Sequence, residues 1–160
     1  MCLFSFIKNA GANVFGIGKT VEEEAAEALA ARQKAEATAA SILKETITNL
    51  QLKVENLKIH IEYDLATIRG LAYNQKTKEK VVLVIGNSKG IASVDDQMKV
   101  DHEEPESLFY TVVNGDTLGK IAKTYYGNAM KYPELFEANK PMLKKPDLIY
   151  PGQVLRIPNL

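Results

Sequence analysis

The sequence predicts an α+β protein in which an αββαβ arrangement with an N-terminal helical extension is followed by a small βααβ unit. Three observations support this. Residues 20–50 are dominated by Ala, Glu, Lys and Leu, which are strong helix formers. Apolar and polar residues then alternate from Leu57 to Tyr63, as in a half-buried strand. After residue 110 the apolar residues adopt helical spacing, which returns to a strand pattern before the final residues.

The long helix has a clear start signal. Thr20 followed by Glu23 fits a capping box, and the three consecutive glutamates at 22–24 suit the positive end of the helix. A buried stripe is predicted in its second half by Ala39, Leu43, Ile47 and Leu50. The first half is mostly alanine and charged residues, so we expect a solvated extension there.

Residues 3–15 carry apolar side chains at helical spacing, namely Leu3, Phe6, Ile7, Ala10 and Val14. We expect a short amphipathic helix docked on the protein itself, because membrane-surface helices are richer in Lys and Arg. The apolar run is short and its basic residue follows it, which is not the order of a secretory signal. No window approaches the ~20 apolar residues of a membrane span. We therefore expect a cytoplasmic protein with no membrane partner.

The centre of the chain continues the αββαβ pattern. A second strand is predicted over 67–71, interrupted by Gly70, with Asp64 in the preceding turn. Asn74 is placed to cap a helix that continues to Ile85 and stops at Gly86. The β-branched run 81–85 leaves a strand as the competing interpretation, but the polar lead-in over 75–80 favours the helix. A third strand is predicted from Val94, Asp96, Met98 and Val100.

The final segment contains the more specific pattern. A strand over 110–113 leads into Asn114-Gly115-Asp116, where Asp116 is predicted to cap the next helix. The buried face of that helix is predicted to comprise Leu118, Ile121, Ala122 and Tyr125. A second helix begins near Pro133, with Leu135, Phe136 and Asn139 facing inward. A turn over 150–153 returns the chain to a last strand over 154–157.

Composition excludes several classes of function. Twenty basic and twenty acidic residues give zero formal net charge, whereas a nucleic-acid binder carries an excess of Lys and Arg. Cys2 is the single cysteine, so no intramolecular disulfide forms. His60 and His102 have no metal-ligand spacing, and the sequence contains no phosphate loop or nucleophile elbow. We do not expect an enzyme.

These motifs carry two family resemblances. Gly115-Asp116-Thr117-Leu118, the Asn after the second helix and Pro151-Gly152-Gln153 before the last strand resemble a LysM domain. The order helix, strand, strand, helix, strand, with 86–94 as the best local match, resembles a BON domain. The division is an N-terminal segment and Ala/Glu-rich helix over 1–34, BON over 35–100, a linker over 101–108 and LysM over 109–160.

LysM domains commonly bind N-acetylglucosamine polymers. By resemblance, the groove would be formed by Gly115, Asp116, Thr117 and Leu118 with Leu148, Ile149, Tyr150 and Pro151. An alternative assigns Leu118 to the core and Asp116 and Thr117 to the helix start. Peptidoglycan binding also requires export, for which we find no signal.

The whole order of segments is similar to the family of bacterial cytoplasmic potassium-binding proteins. That resemblance implies a selective K+ site. A large monovalent ion suits a cage of neutral carbonyl oxygens, whereas carboxylates favour smaller divalent ions. The candidate carbonyls are those of Ile7 and Ala10 in the N-terminal segment and those of Gly86, Ser88 and Ile91 after the second helix of the BON-like domain. Binding would order the N-terminus and fix the two domains relative to each other.

Three functional hypotheses follow. The preferred one is a monomeric, cytoplasmic K+ sensor or buffer. The second is a peptidoglycan-binding protein, and the third is a non-catalytic scaffold that holds an unknown protein partner.

Overall fold

The computed structural model describes residues 20–160 and arranges them around two separate hydrophobic cores. We call residues 20–102 the sheet body and residues 108–160 the βααβ unit. The sheet body contains α1 (Val21–Asn49), β1 (Val54–Glu62), β2 (Leu65–Asn74), α2 (Gln75–Gly86), β3 (Ser93–Asp96) and β4 (Lys99–His102). The βααβ unit contains β5 (Leu108–Thr111), α3 (Leu118–Tyr126), a 3₁₀ helix (Ala129–Lys131), α4 (Tyr132–Ala138) and β6 (Val154–Ile157). The observed fold class is α+β, as predicted.

Helix α1 begins where its sequence predicts. The Glu23 N–H donates to Thr20 Oγ1 at 3.0 Å, and the Thr20 N–H donates to the Glu23 carboxylate at 2.8 Å, which completes the capping box. In the second half, Ile47 is buried in the core of the sheet body, with Ala39 and Leu43 packed against that core. Residues 21–31 are exposed throughout, because this half is mostly alanine and charge.

Strand β2 is the centre of the four-stranded sheet. Strand β1 pairs with it antiparallel, and both β3 and β4 pair with it in parallel. The prediction of one continuous third strand was therefore wrong. Between β3 and β4 the Gln97 N–H still donates to the Ile68 carbonyl of β2 at 2.9 Å, and the Met98 N–H donates to the Asp96 side chain at 3.0 Å. The helix prediction after Asn74 is confirmed, with the Asn74 side chain accepting from the Thr77 N–H at 2.9 Å.

Gly70, which was predicted to interrupt the second strand, lies within β2 opposite a bulge in β1. Its φ is +152°, and a Cβ there would lie 2.9 Å from the Glu55 carbonyl oxygen. The register of β1 against β2 shifts at this point, between Glu55 and Lys58. Glycine is required because the two backbones approach too closely for a side chain.

Three predictions for the βααβ unit differ from the structure. Its first strand begins at Leu108 rather than residue 110, because Leu108 already pairs with Ile157. The N-cap of α3 is Thr117, whose hydroxyl accepts from the Lys120 N–H at 3.2 Å; Asp116 was the wrong residue. Tyr125 is 39% exposed, whereas Tyr126 packs against the core and donates its hydroxyl proton to the Pro158 carbonyl at 2.9 Å. The buried stripe of α3 thus closes one residue later than predicted.

Candidate functional site

A tight turn after α2 contains three of the predicted ion ligands. The Ser88 N–H donates to the Ile85 carbonyl at 3.0 Å, and the Ile91 N–H donates to the Ser88 carbonyl at 3.2 Å. Gly90 has a φ of +90°, which reverses the chain at low steric cost. Gly86, Ser88 and Ile91 are therefore brought into one short loop, which we call the α2 turn (residues 86–92).

Backbone oxygens in the α2 turn are available to a cation. Within residues 20–160 no N–H or side-chain donor bonds to the Gly86 carbonyl, and the Ser88 carbonyl accepts one hydrogen bond, leaving its second lone pair. These oxygens lie at the negative end of the helix dipole. The other two predicted ligands, Ile7 and Ala10, lie outside the described residues. In the described part of the chain no group of three His, Cys, Asp or Glu side chains is arranged to hold a metal.

The side chain of Asn87, in the middle of this loop, bonds to β6 of the βααβ unit. Its Oδ1 accepts from the Val154 N–H at 2.8 Å, and its Nδ2 donates to the Val154 carbonyl at 3.0 Å. The same Nδ2 donates to the Leu83 carbonyl, one helical turn back, at 2.9 Å, and to Met142 Sδ of the βααβ unit at 3.0 Å. The α2 turn is therefore attached to a strand of the βααβ unit.

Asn139 makes three matching bonds from within the βααβ unit. Its Oδ1 accepts from the Arg156 N–H at 2.7 Å, its Nδ2 donates to the Arg156 carbonyl at 2.8 Å, and Nδ2 also donates to the Leu135 carbonyl at 2.7 Å. Both asparagines are the C-cap residues of their helices. Two amide side chains thus pair with alternate residues of β6.

A buried carboxylate joins the same two regions at a second point. Glu79 of α2 is 2% exposed and accepts from the Arg156 guanidinium Nε, from the Ser107 N–H at 2.8 Å and from Gln75 Nε2 at 3.1 Å. Burial by itself raises the pKa of Glu79. The hydrogen bonds, led by the one from Arg156, more than offset burial, and the net pKa lies below its ordinary value. Glu79 is therefore charged at neutral pH.

The two loops of the predicted glycan groove do lie together. Asp116, Thr117 and Gly119 face Asp147 and Ile149 across an open groove. Leu118 is 3% exposed and belongs to the core, whereas Leu148 and Tyr150 are more than half exposed at 58% and 52%. Pro151 and Gly115 are also exposed, and the four predicted residues that do not line this groove are Gly115, Leu148, Tyr150 and Pro151.

Asp116 closes the turn at one end of that groove. It accepts from the Val113 N–H at 2.9 Å and from the Tyr110 hydroxyl at 2.8 Å. The bond from Val113 and the bond from Tyr110 lower the pKa of Asp116. The bond between Tyr110 and Asp116 also raises the pKa of Tyr110. Asp116 thus shapes the loop through internal bonds.

Sequence reasoning missed the contacts between the two cores. Glu79, Arg156 and the Asn87 side chain were not singled out, although Gln75 and Glu79 at i and i+4 on a helix with an apolar face were a usable signal of a buried polar pair. Asn139 was predicted to face inward, and this is confirmed at 1% exposure.

The LysM family model matches residues 110–158 of the chain. This range falls within the βααβ unit, with its two-stranded sheet covered by α3 and α4. The chain is thus an α+β protein that carries a LysM domain.

A relative that aligns over nearly the whole chain shows which family the chain belongs to. The chain is 42% identical over 158 residues to the potassium binding protein Kbp of Escherichia coli O6:H1, and the match covers 99% of each protein. It is also 48% identical over 56 residues to an uncharacterised protein of Deinococcus radiodurans, which covers 35% of this chain and 21% of that one. The chain belongs to the family of the potassium binding protein Kbp. None of the helices within residues 20–160 has the length and apolar character needed to cross a bilayer.

Proposed function

We propose that this protein is a non-catalytic, cytoplasmic K+-binding protein that acts as a sensor or buffer. The observation that carries the proposal is the α2 turn, which offers neutral main-chain oxygens at a helix C-terminus. The relative that matches 99% of the chain is named a potassium binding protein, which supports the same ligand.

The chemistry of the turn favours a large monovalent cation. Carbonyl oxygens can replace the loosely held hydration shell of K+, whereas Ca²⁺ and Mg²⁺ sites in proteins rely on carboxylates. The proposed ligands in the turn are the carbonyls of Gly86, Ser88 and Ile91. Carbonyls of Ile7 and Ala10 would complete the shell.

Ion binding would also order the protein. We propose a division into an N-terminal segment with the Ala/Glu-rich helix (1–34), a BON-like domain (35–100), a linker (101–108) and the LysM domain (109–160). The N-terminal segment would join the α2 turn on one side of the ion. The bonds from Asn87 to β6 would then fix the LysM domain against the first domain. We expect a monomer in both states.

Thermal unfolding in matched KCl and NaCl tests the proposal. A ligand at about 100 times its dissociation constant stabilises the native state by about 2.7 kcal/mol, which is a shift of several degrees for a chain of this size. We expect a higher unfolding temperature in KCl and the same increase in RbCl, an ion of similar size. Equal unfolding temperatures in all three salts would remove the proposal.

A glycine substitution with a matched control locates the effect. Gly90→Ala places a side chain at a φ of +90° with no atom within 4 Å, so it strains only the shape of the α2 turn. Gly152→Ala imposes the same strain at a φ of +89°, also in open space, in a turn of the LysM domain. We expect Gly90→Ala to reduce the K+-induced rise in unfolding temperature and Gly152→Ala to preserve it. Equal rises in both variants would place the ion elsewhere.

Glycan binding is the second candidate function, because the structure brings the two predicted loops into one groove. Its ligand would be a chitin- or peptidoglycan-like polymer of N-acetylglucosamine. Co-sedimentation with purified peptidoglycan tests it, with Tyr150→Ala as the variant that removes an exposed ring next in sequence to Ile149, a residue that lines the groove. Retention of the wild type that is lost in this variant would support the second function over a purely intracellular role.

A further inference from the structure

Asn87 stands at the contact between the proposed ion site and the LysM domain. Its backbone lies between Gly86 and Ser88, whose carbonyls are proposed ligands, while its side chain is bonded to Val154 of β6. We infer that Asn87 is a positioning residue that couples K+ affinity to docking of the LysM domain. This inference rests on the proposed function, and it assigns to the side chain a role that does not require contact with the ion.

The contact with Val154 is a substitute for strand pairing. Val154 and Arg156 are two residues apart, so their N–H and C=O groups point to the same edge of β6. Strand β5 pairs with β6 along the opposite edge. On the free edge, the N–H and C=O of Arg156 are hydrogen-bonded by Asn139, which belongs to the LysM domain. The N–H and C=O of Val154 are hydrogen-bonded by Asn87, which lies outside that domain. Undocking the domain would leave the polar groups of Val154 without these partners.

The same side chain also fixes the end of α2. Asn87 Nδ2 donates to the Leu83 carbonyl at 2.9 Å, and its N–H donates to that carbonyl at 3.0 Å. An amide held at both ends cannot rotate without releasing either the helix end or β6. Docking of β6 therefore restricts the backbone of the α2 turn to one shape, and ordering of that turn by an ion favours docking. Two such equilibria must influence each other by the same factor.

Isothermal titration of the full-length chain with KCl tests the inference with two variants. Asn87→Ala removes all four side-chain bonds, those to the Val154 N–H, the Val154 and Leu83 carbonyls and Met142 Sδ. Asn87→Asp retains the acceptor for the Val154 N–H but places an oxygen against the Val154 and Leu83 carbonyls. We expect both to weaken K+ binding by about tenfold, within the usual range of coupling between sites. Asn159→Ala, an exposed asparagine with one 3.4 Å bond to the Glu106 carbonyl, is the control and should leave affinity unchanged.

The aspartate separates coupling from simple proximity. An added negative charge beside a cation site strengthens binding through electrostatic attraction. Weaker binding in Asn87→Asp therefore supports the coupling role, whereas stronger or unchanged binding overturns it. If the wild type itself shows no K+ binding, the proposed function fails together with the inference. If the wild type binds and both variants bind equally well, only the inference fails.

Hydrogen exchange of the unmodified protein gives a second test that does not depend on how the variants fold. The Val154 and Arg156 amides lie on the same strand and each donates to an asparagine Oδ1, but only the first of these asparagines belongs to the α2 turn. We expect replacement of NaCl by KCl to slow exchange at Val154 more than at Arg156. Equal changes at the two amides would show that K+ does not act through Asn87 and would overturn the inference.

Discussion

Asn87 and Asn139 share three kinds of hydrogen bond in two different settings, and Asn87 makes a fourth, to Met142 Sδ. Each caps a helix, bonds to the carbonyl four residues back and pairs with one residue of β6. Asn139 is 1% exposed inside one core, whereas Asn87 is half-buried between two regions. The same asparagine side chain can therefore complete a domain internally or connect it to its neighbour, according to which helix carries it.

The largest expected effect comes from the other attachment of β6 to α2. Glu79→Ala leaves the Arg156 side chain, which is 8% exposed, without its carboxylate partner. Breaking a buried ion pair in this way costs about 3–5 kcal/mol of unfolding free energy, measurable by urea denaturation. The Glu79→Ala variant weakens the contacts between β6 and α2, while the bonds of Asn139 within the LysM domain remain.

The control for that variant is an exposed ion pair. Glu134→Ala removes the contact with Lys131. The Glu134 side chain is 40% exposed and the Lys131 side chain is 47% exposed, so the variant should not measurably change the denaturation midpoint. A similar midpoint for both variants would contradict the interpretation of Glu79 as a buried link.

Asn139→Ala is expected to cost somewhat less. It leaves the N–H and C=O of Arg156 buried without the Asn139 amide, and an unsatisfied buried group costs about 1–3 kcal/mol. Asn159→Ala, on the surface, should change stability by less than about 0.5 kcal/mol. Urea denaturation followed by tyrosine fluorescence measures both. If Asn139→Ala lowered the unfolding free energy no more than Asn159→Ala, the hydrogen bonds of Asn139 would not stabilise the LysM domain.

Acidification tests the contact of Glu79 with Arg156 through a smaller change in stability. The folded-state pKa of Glu79 is below its ordinary value of 4.5, so its contribution to stability is complete above that value. The contribution is lost as the pH falls through the lowered folded-state pKa. We expect the unfolding temperature of the wild type to decrease more steeply below pH 4.5 than that of Glu79→Gln. Parallel pH profiles would contradict a charged Glu79 in the folded protein.

The smallest effect is expected from an exposed side chain beside the groove of the LysM domain. Tyr150→Ala truncates a side chain that is 52% exposed and distant in sequence from every proposed ion ligand. We expect both the unfolding temperature and the K+ dissociation constant to remain at wild-type values. A weakened K+ affinity in this variant would mean that the groove and the α2 turn communicate.

Local signals predicted the elements well. The Thr20–Glu23 capping box, the Asn74 cap and the helical spacing after Leu118 involve residues within four positions of each other, so their physics is visible in the sequence. Asp116 was misassigned as the cap because Asp and Thr are both good caps, and only the fold turns Asp116 toward Val113 and Tyr110.

Contacts between distant segments were much less predictable. The bond between Glu79 and Arg156 spans 77 residues and the bond between Asn87 and Val154 spans 67 residues, so no short pattern encodes them. The proposed K+ ligands leave still less trace, because every residue carries a carbonyl. The positions of Gly86 and Gly90 indicated where the chain turns, and the choice of oxygens came from the family resemblance.

The most direct test is a crystal structure of the full chain grown with RbCl in place of KCl and measured at the rubidium absorption edge. Rubidium is close to potassium in size and scatters anomalously. We predict an anomalous peak within coordination distance of the carbonyl oxygens of Gly86, Ser88 and Ile91. A well-ordered α2 turn with no peak, or a peak surrounded by carboxylates elsewhere in the molecule, would contradict it.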